Sequence, residues 1–277
     1  MLAKKISATI ALIASQMSSA HAASQTEPGF TTGVGVYQAA PEGLYFIGIP
    51  QYGVRSTAPS VDSFFFSPFI YYQSPFQIAG AKVSFYTSPT VVDVVYNGHN
   101  TLGWYNIYVA SQLTWDLGGG FGTGFRLGGY IPTSGPTASN FGTVEARTGV
   151  TYSKDGIMAT ANFIYGMPTP DQGTGNMTAP NYFNVDLTAL KYFNKFSVGI
   201  VGFGSTDVNR PYASYAIQSQ FALGAVLGYD FDRVSVQLKL TSDVAEHNYG
   251  GYEKRAWMNI IVPLWMNLPP KDVTAKY

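Results

Sequence analysis

The chain has 277 residues, 16 Lys+Arg against 16 Asp+Glu, no Cys, and only 12% charged positions, about half the share of an ordinary soluble domain. Balanced charge excludes a nucleic-acid interface driven by phosphate neutralisation, and the absence of cysteine excludes disulfide scaffolds and thiolate metal sites. Aromatic residues at 15%, with 30 glycines, exclude disorder and leave two classes: a large soluble β protein, or a membrane β-barrel whose outer face needs no charge.

Met1-Leu2-Ala3-Lys4-Lys5 is a basic head before the apolar run Ile6–Ala14, and Ala20-His21-Ala22 supplies a small-x-small pattern. That run is too short to span a bilayer, so residues 1–22 read as a secretory signal peptide cleaved at the Ala20/Ala22 motif. Loss of Lys4 and Lys5 leaves 14 basic against 16 acidic residues, and no cysteine follows to carry a lipid anchor. No later stretch reaches the ~18 apolar residues of a transmembrane helix. Residues 23–42 are expected as a periplasmic segment, too short for a plug domain but able to enter a lumen in part.

From residue 43 onward the chain alternates with period 2. Twelve strands are expected near 43–53, 61–72, 77–87, 102–116, 120–131, 141–153, 156–167, 181–193, 195–205, 215–231, 233–245 and 254–265. The register is plainest where Leu223, Ala225, Leu227 and Tyr229 share one face and Gln220, Ala222, Gly224 and Gly228 the other. Ser74-Pro75, Leu117-Gly118-Gly119, Lys154-Asp155, Asn194 and Asp232 read as tight turns. Long loops fall near 88–101, 132–140, 168–180, 206–214 and 246–253, and Pro59, Pro68, Pro75 and Pro89 interrupt the pattern between 54 and 101.

A soluble sandwich would fill its polar face with Lys and Glu, whereas here that face holds Gly, Ala, Ser, Thr, Gln and Asn. The strands also reach the ~9–11 residues a tilted membrane strand needs. Aromatics stand at strand ends, at Trp104-Tyr105, Trp115, Tyr130, Tyr152, Tyr165, Tyr192-Phe193, Tyr229 and Trp265, as interfacial girdles require. The fold class is therefore all-β, a transmembrane antiparallel β-barrel of about 12 strands over 43–265, with a tail at 266–277. Short turns and both termini are expected in the periplasm, and long loops outside, in the outer membrane of a Gram-negative bacterium.

Pro41-Glu42-Gly43-Leu44-Tyr45-Phe46, Gly129-Tyr130-Ile131-Pro132-Thr133-Ser134-Gly135, Thr148–Tyr152, Phe183–Leu187, Val198–Phe203 and Leu223–Tyr229 together resemble an outer-membrane transporter family associated with the meta-pathway of phenol degradation. The resemblance covers most of the chain after the leader. It implies a monomeric outer-membrane barrel that moves small aromatic or hydrophobic compounds. Pro-Thr-Ser-Gly stands where the family is expected to have Pro-Thr-Gly, and the terminal aromatic read by the barrel-assembly machinery falls at Trp265, ahead of a non-strand tail.

Candidate chemistry is sparse. Only His99 and His247 survive leader removal, both in expected outer loops, and a metal site needs more ligands than that. An outer-membrane lipid hydrolase would need a His with a partnered Ser in an H-x-S-N-G context, but the contexts are His99-Asn100-Thr101 and His247-Asn248-Tyr249, which give a nucleophile no positioned base. The glycine run 118–124 lacks the Lys of a phosphate loop and opens no helix. Asp171-Gln172-Gly173-Thr174-Gly175-Asn176 lacks a bidentate acid for calcium. No catalytic residue, metal or cofactor is therefore assigned.

The lumen is where function should lie. Alternation turns Arg126, Glu145, Arg147, Asp116, Asp186, Lys239 and Asp243 inward, either as a charge-paired filling or as a constriction that sets which solutes pass. Tyr108, Tyr130 and Phe203 face the same way, as an aromatic track or as filling. The leading expectation is a passive channel for small hydrophobic or aromatic solutes, embedded in outer-membrane lipid. A structural or adhesive protein presenting surface loops is the alternative, and a lipid hydrolase the third.

Overall fold

A computed structural model describes residues 24–57 and 60–267. The signal peptide with Ala20 and Ala22, and all but the first two residues of the 266–277 tail, lie outside the described residues. Fourteen strands are present: β1 (Gly43–Arg55), β2 (Val61–Ile78), β3 (Ala81–Ser88), β4 (Val91–Tyr96), β5 (His99–Trp104), β6 (Ile107–Gly118), β7 (Phe121–Ile131), β8 (Thr143–Lys154), β9 (Ile157–Pro168), β10 (Tyr182–Phe193), β11 (Phe196–Asp207), β12 (Ser219–Asp230), β13 (Ser235–His247) and β14 (Glu253–Met266). Each pairs antiparallel with its sequence neighbour from β6 to β14, β14 pairs with β1, and β1–β2 and β3–β6 pairings close the barrel.

Fourteen strands make only twelve staves. The pairings Ile70↔Thr87 and Phe66↔Val91 lie on one unbroken register against β2, so β3 and β4 are halves of one strand interrupted at Pro89-Thr90. Proline has no N–H to donate to the ladder, and the break falls where it sits. Likewise β5 and β6 are one strand with a single-residue bulge at Tyr105-Asn106, because Val91 pairs with Trp104 but Ser88 with Tyr108. The Tyr105 N–H donates to the Thr90 carbonyl at 2.8 Å, which keeps the wall closed across the break. Much of the loop expected at 88–101 is therefore a hairpin, turned by Asn97 and Gly98 with φ of 50° and 75°, the signature of a tight hairpin turn.

Two other boundaries differ from expectation. Ser74-Pro75 is not a turn: β2 runs through it to Ile78, with the irregularity in pairing absorbed between Gln73 and Gln77, and the chain reverses at Ala79-Gly80 instead. The strand expected from Tyr215 starts at Ser219, because Tyr215 and the Gln218 N–H both donate to the Asp207 carboxylate and hold the preceding loop inward.

The barrel is apolar outside and polar inside, the reverse of a soluble protein. Ile200, Leu240 and Leu227 are 68%, 58% and 57% exposed, while Asn184, Asp186 and Thr188 alternate with the outward Phe183, Leu187 and Ala189 of β10. Phe121 against Tyr152, and Phe196 against Tyr229, form ring pairs at the mouth that carries the short turns. Such a belt and girdle suit lipid. The core proper is the lumen, and Ser24–Gln38 is threaded through it rather than held outside. A ring of this size is too wide for wall side chains alone to fill, and the buried polar groups they present need partners.

Candidate functional site

The threaded segment is gripped at one tight turn. Both oxygens of Asp186 on β10 accept from it: the Gly29 N–H at 2.8 Å, the Thr31 N–H at 2.9 Å and the Thr31 hydroxyl at 2.6 Å. From β13, the fully buried Lys239 ammonium donates to the Thr32 carbonyl at 3.1 Å and its hydroxyl at 3.0 Å. Gln237 and Asn259 donate to the carbonyls of Gly33 and Thr32, and Thr188 accepts from the Gly33 N–H. Lower down, inward-facing Gly124 and Gly149 leave the hollow that the Tyr37 ring fills, and its hydroxyl donates to Asn162 at 2.6 Å. Asp186 and Lys239 are thus brought together around a segment whose sequence gives no periodic signal of its place.

The remaining charges form two clusters. In one, Glu145 pairs with Arg147 and accepts from Thr26 and Tyr182. Arg126 donates from Nε to Gln112 at 2.8 Å, and its guanidinium lies 3.8 Å from the Tyr86 ring centre. In the other, Arg255 pairs with Asp243 at 2.8 Å and Glu253 at 3.0 Å, with Glu27 of the threaded segment 3.4 Å away, and Arg55 pairs with Glu253 at 2.6 Å. Sequence reasoning missed Arg55, Glu253, Arg255 and Glu27. Glu253, Arg255, Trp257 and Asn259 alternate inward along β14, so the period-2 signal for two of these charges was present. Asp116 has the inward parity but not the inward position. It sits exposed where β6 ends, and its carboxylate turns back to accept from the Gly118 N–H.

The three expected aromatics belong to one ring-to-ring chain. Tyr105 meets Tyr130 at 6.1 Å, Tyr130 meets Tyr108 at 5.1 Å, and Tyr108 meets Phe69 at 6.1 Å. Phe69 then meets Phe30 of the threaded segment, Phe30 meets Trp257, and Trp257 meets Phe203. The chain begins at a cavity of about 520 Å³ at the mouth carrying the long loops, a volume within the roughly 300–1,000 Å³ of small-molecule sites. Phe30, Phe65, Val92, Tyr105, Tyr130 and Phe141 line it. Two buried amide oxygens, on Gln25 and Gln218, have no partner there. On the rim, hydrogen bonds from Thr174, Gly173 and Asn140 hold the Asp171 carboxyl below its ordinary value. His99 and His247 lie exposed at the ends of β5 and β13.

The family described as "Putative MetA-pathway of phenol degradation" matches residues 20–260. The chain belongs to that family. Its resemblance to that family in the segments around Tyr130, Val150 and Leu187 thus extends over nearly the whole barrel. Among curated proteins none matches this family member. Three solved structures that it is similar to are a CymD monoaromatic hydrocarbon channel (7% identity, TM-score 0.49, 82% of this chain and 90% of that one), a KdgM porin in complex with disordered oligogalacturonate (7%, 0.45, 79% and 99%) and the translocator domain of autotransporter NalP from Neisseria meningitidis (8%, 0.46, 82% and 90%).

Proposed function

We propose that this barrel is a passive outer-membrane channel for small hydrophobic or aromatic compounds, working as a monomer with short turns and termini in the periplasm. The observation that carries this is the continuity between the aromatic-lined outer cavity and the ring chain Tyr105–Tyr130–Tyr108–Phe69–Phe30 that runs from it into the lumen. Each aromatic contact contributes about 0.5–1.5 kcal/mol beyond area burial. A solute can therefore step from ring to ring without becoming trapped, which is what conduction requires. The inward charges are ion-paired or hydrogen-bonded, which supports assigning them to lumen architecture and not to chemistry on a substrate.

The test is entry of labelled phenol against glucose into proteoliposomes holding the folded barrel. We expect phenol to enter faster than into empty vesicles, and glucose not to. Equal rates for phenol with and without protein would overturn the reading in favour of a structural or adhesive role. Lipid breakdown in the same vesicles would overturn the non-enzymatic assignment.

A further inference from the structure

The outer cavity, between the long loops and the threaded segment, carries more acceptors than a purely apolar solute needs. Among the described residues, Glu27, Glu253 and Asp171 line it against one cation, Arg55. Arg55 spends its terminal nitrogens on the Glu253 carboxylate at 2.6 Å and the Tyr249 carbonyl at 3.3 Å, which leaves its Nε without a hydrogen bond. Behind the floor, Arg255 is shared among Asp243, Glu253 and Glu27. The floor therefore sets three carboxylates against two guanidiniums.

Two further groups call for a ligand. Gln25 and Gln218 are 5% and 7% exposed, both line the cavity, and the Oε1 of each makes no hydrogen bond. The Gln25 amide Nε2 donates to the Phe141 carbonyl at 3.2 Å, which fixes its oxygen as the group left over. Buried acceptors are ordinarily satisfied, and a buried negative charge in excess of its cations is costly until a proton or a cation neutralises it. An anion would have the Arg55 Nε–H alone to set against these carboxylates. A cation meets the excess charge, two amide oxygens and the rings of Phe30, Phe65, Tyr105 and Tyr130. Charge at the surrounding strand ends and loops has the same sign, with Asp62, Asp93, Asp171, Asp207 and Glu246 against Arg210 and Lys254, and draws cations toward the opening.

Resting on the channel reading, we propose that this cavity is a recognition site for aromatic amines in their ammonium form. The ammonium N–H groups donate to the Gln25 and Gln218 amide oxygens and neutralise the excess charge at Glu27, and the solute ring packs among Phe30, Phe65 and Tyr105. An aryl alcohol keeps the ring contacts but brings one donor and no charge. A small alkylammonium brings the charge without the ring, and an aryl carboxylate meets charge of its own sign. Glu27→Gln separates binding from stability: it leaves two carboxylates for two guanidiniums, so the ion network stays balanced while the site loses its excess charge.

The experiment is equilibrium dialysis of labelled benzylammonium against the folded barrel in detergent micelles, with protein-free micelles as the blank. We expect saturable binding that methylammonium and benzyl alcohol displace only at concentrations about tenfold higher or more, and that benzoate does not displace. Glu27→Gln should weaken benzylammonium binding by about tenfold or more, the loss of a charge-assisted contact, with binding of labelled benzyl alcohol unchanged. If Glu27→Gln does not fold, Gln218→Leu decides, with benzylammonium binding expected to weaken several-fold. Equal affinity for benzylammonium and benzyl alcohol, preferred binding of benzoate, or benzylammonium binding undiminished in the variant would overturn the site, and with phenol entry into proteoliposomes intact the channel would stand. Saturable benzylammonium binding by a barrel that admits no phenol would keep the site but overturn the channel.

Discussion

The two sides of the lumen are built differently. Along β9 to β14, Asn162, Asn184, Asp186, Thr188, Gln237 and Lys239 all hydrogen-bond to the threaded segment. Along β1 to β3 and β6, the wall presents Phe69, Tyr71, Tyr86 and Tyr108 and leaves Gln51 and Ser88 without partners. The contacts across this second side are a ring contact, Phe30 on Phe69, and one hydrogen bond from the Gln112 amide to the Val36 carbonyl at 2.9 Å. One flank is thus a scaffold that holds the segment in register, and the other an aromatic face, the side on which the proposed passage runs. A narrow barrel separates these tasks because hydrogen bonds to buried charges fix geometry, whereas aromatic faces are weak and non-directional by comparison.

Breaking the scaffold flank should have the largest effects. Arg255→Met leaves the buried Asp243 carboxylate without its cation, while Glu253 keeps Arg55, a loss of about 3–5 kcal/mol, read as a lower urea midpoint of barrel unfolding. Asp186→Ala removes three charge-assisted bonds from the turn at Gly29–Thr31, so docking of the segment should weaken by about 3 kcal/mol. Ion conductance in planar bilayers should rise in this variant, and an unchanged conductance would show that the segment does not obstruct the lumen.

The other flank should respond in transport and not in stability. Val94→Trp fills part of the outer cavity that Val94 lines and should slow phenol entry while leaving the urea midpoint near wild type; unimpaired entry would move the passage elsewhere. The smallest effect concerns the outer rim. Because its hydrogen bonds hold Asp171 below the ordinary aspartate value of 3.8, its contribution to loop order is present above that value and lost as pH falls through the lowered one. Asp171→Asn should abolish any acid-induced rise in proteolysis of the 169–181 loop, and a rise of equal size in the variant would assign it to another group.

Much of this division was legible before the fold. Period-2 parity placed Arg126, Glu145, Arg147, Asp186, Lys239 and Asp243 on the inner face because a strand gives each residue only two directions. Parity fails at strand ends, where Asp116 bends back to its own turn, and it says nothing of aperiodic chain. Ser24–Gln38 is such a stretch: Gly29 finds Asp186 and Thr32 finds Lys239 across more than 150 residues, and no local pattern encodes those pairings. The proline-rich stretch misled for a related reason. Pro75 and Pro89 both remove a donor, but Pro75 is absorbed as an irregularity inside β2 while Pro89 divides a strand, and only the neighbouring staves decide which.

Because the chain contains no cysteine, passage of solute along one flank only can be tested with single thiols. Val94→Cys, on the β4 continuation of β3 and lining the outer cavity, and Thr188→Cys place one on each flank, and a small thiosulfonate reagent reports which side opens to solution. Val94→Cys should react readily and be protected by added phenol, and Thr188→Cys, beneath the Gly33 N–H, should stay unreactive. Rapid, phenol-protected labelling of Thr188→Cys with an inert Val94→Cys would place the passage on the opposite flank.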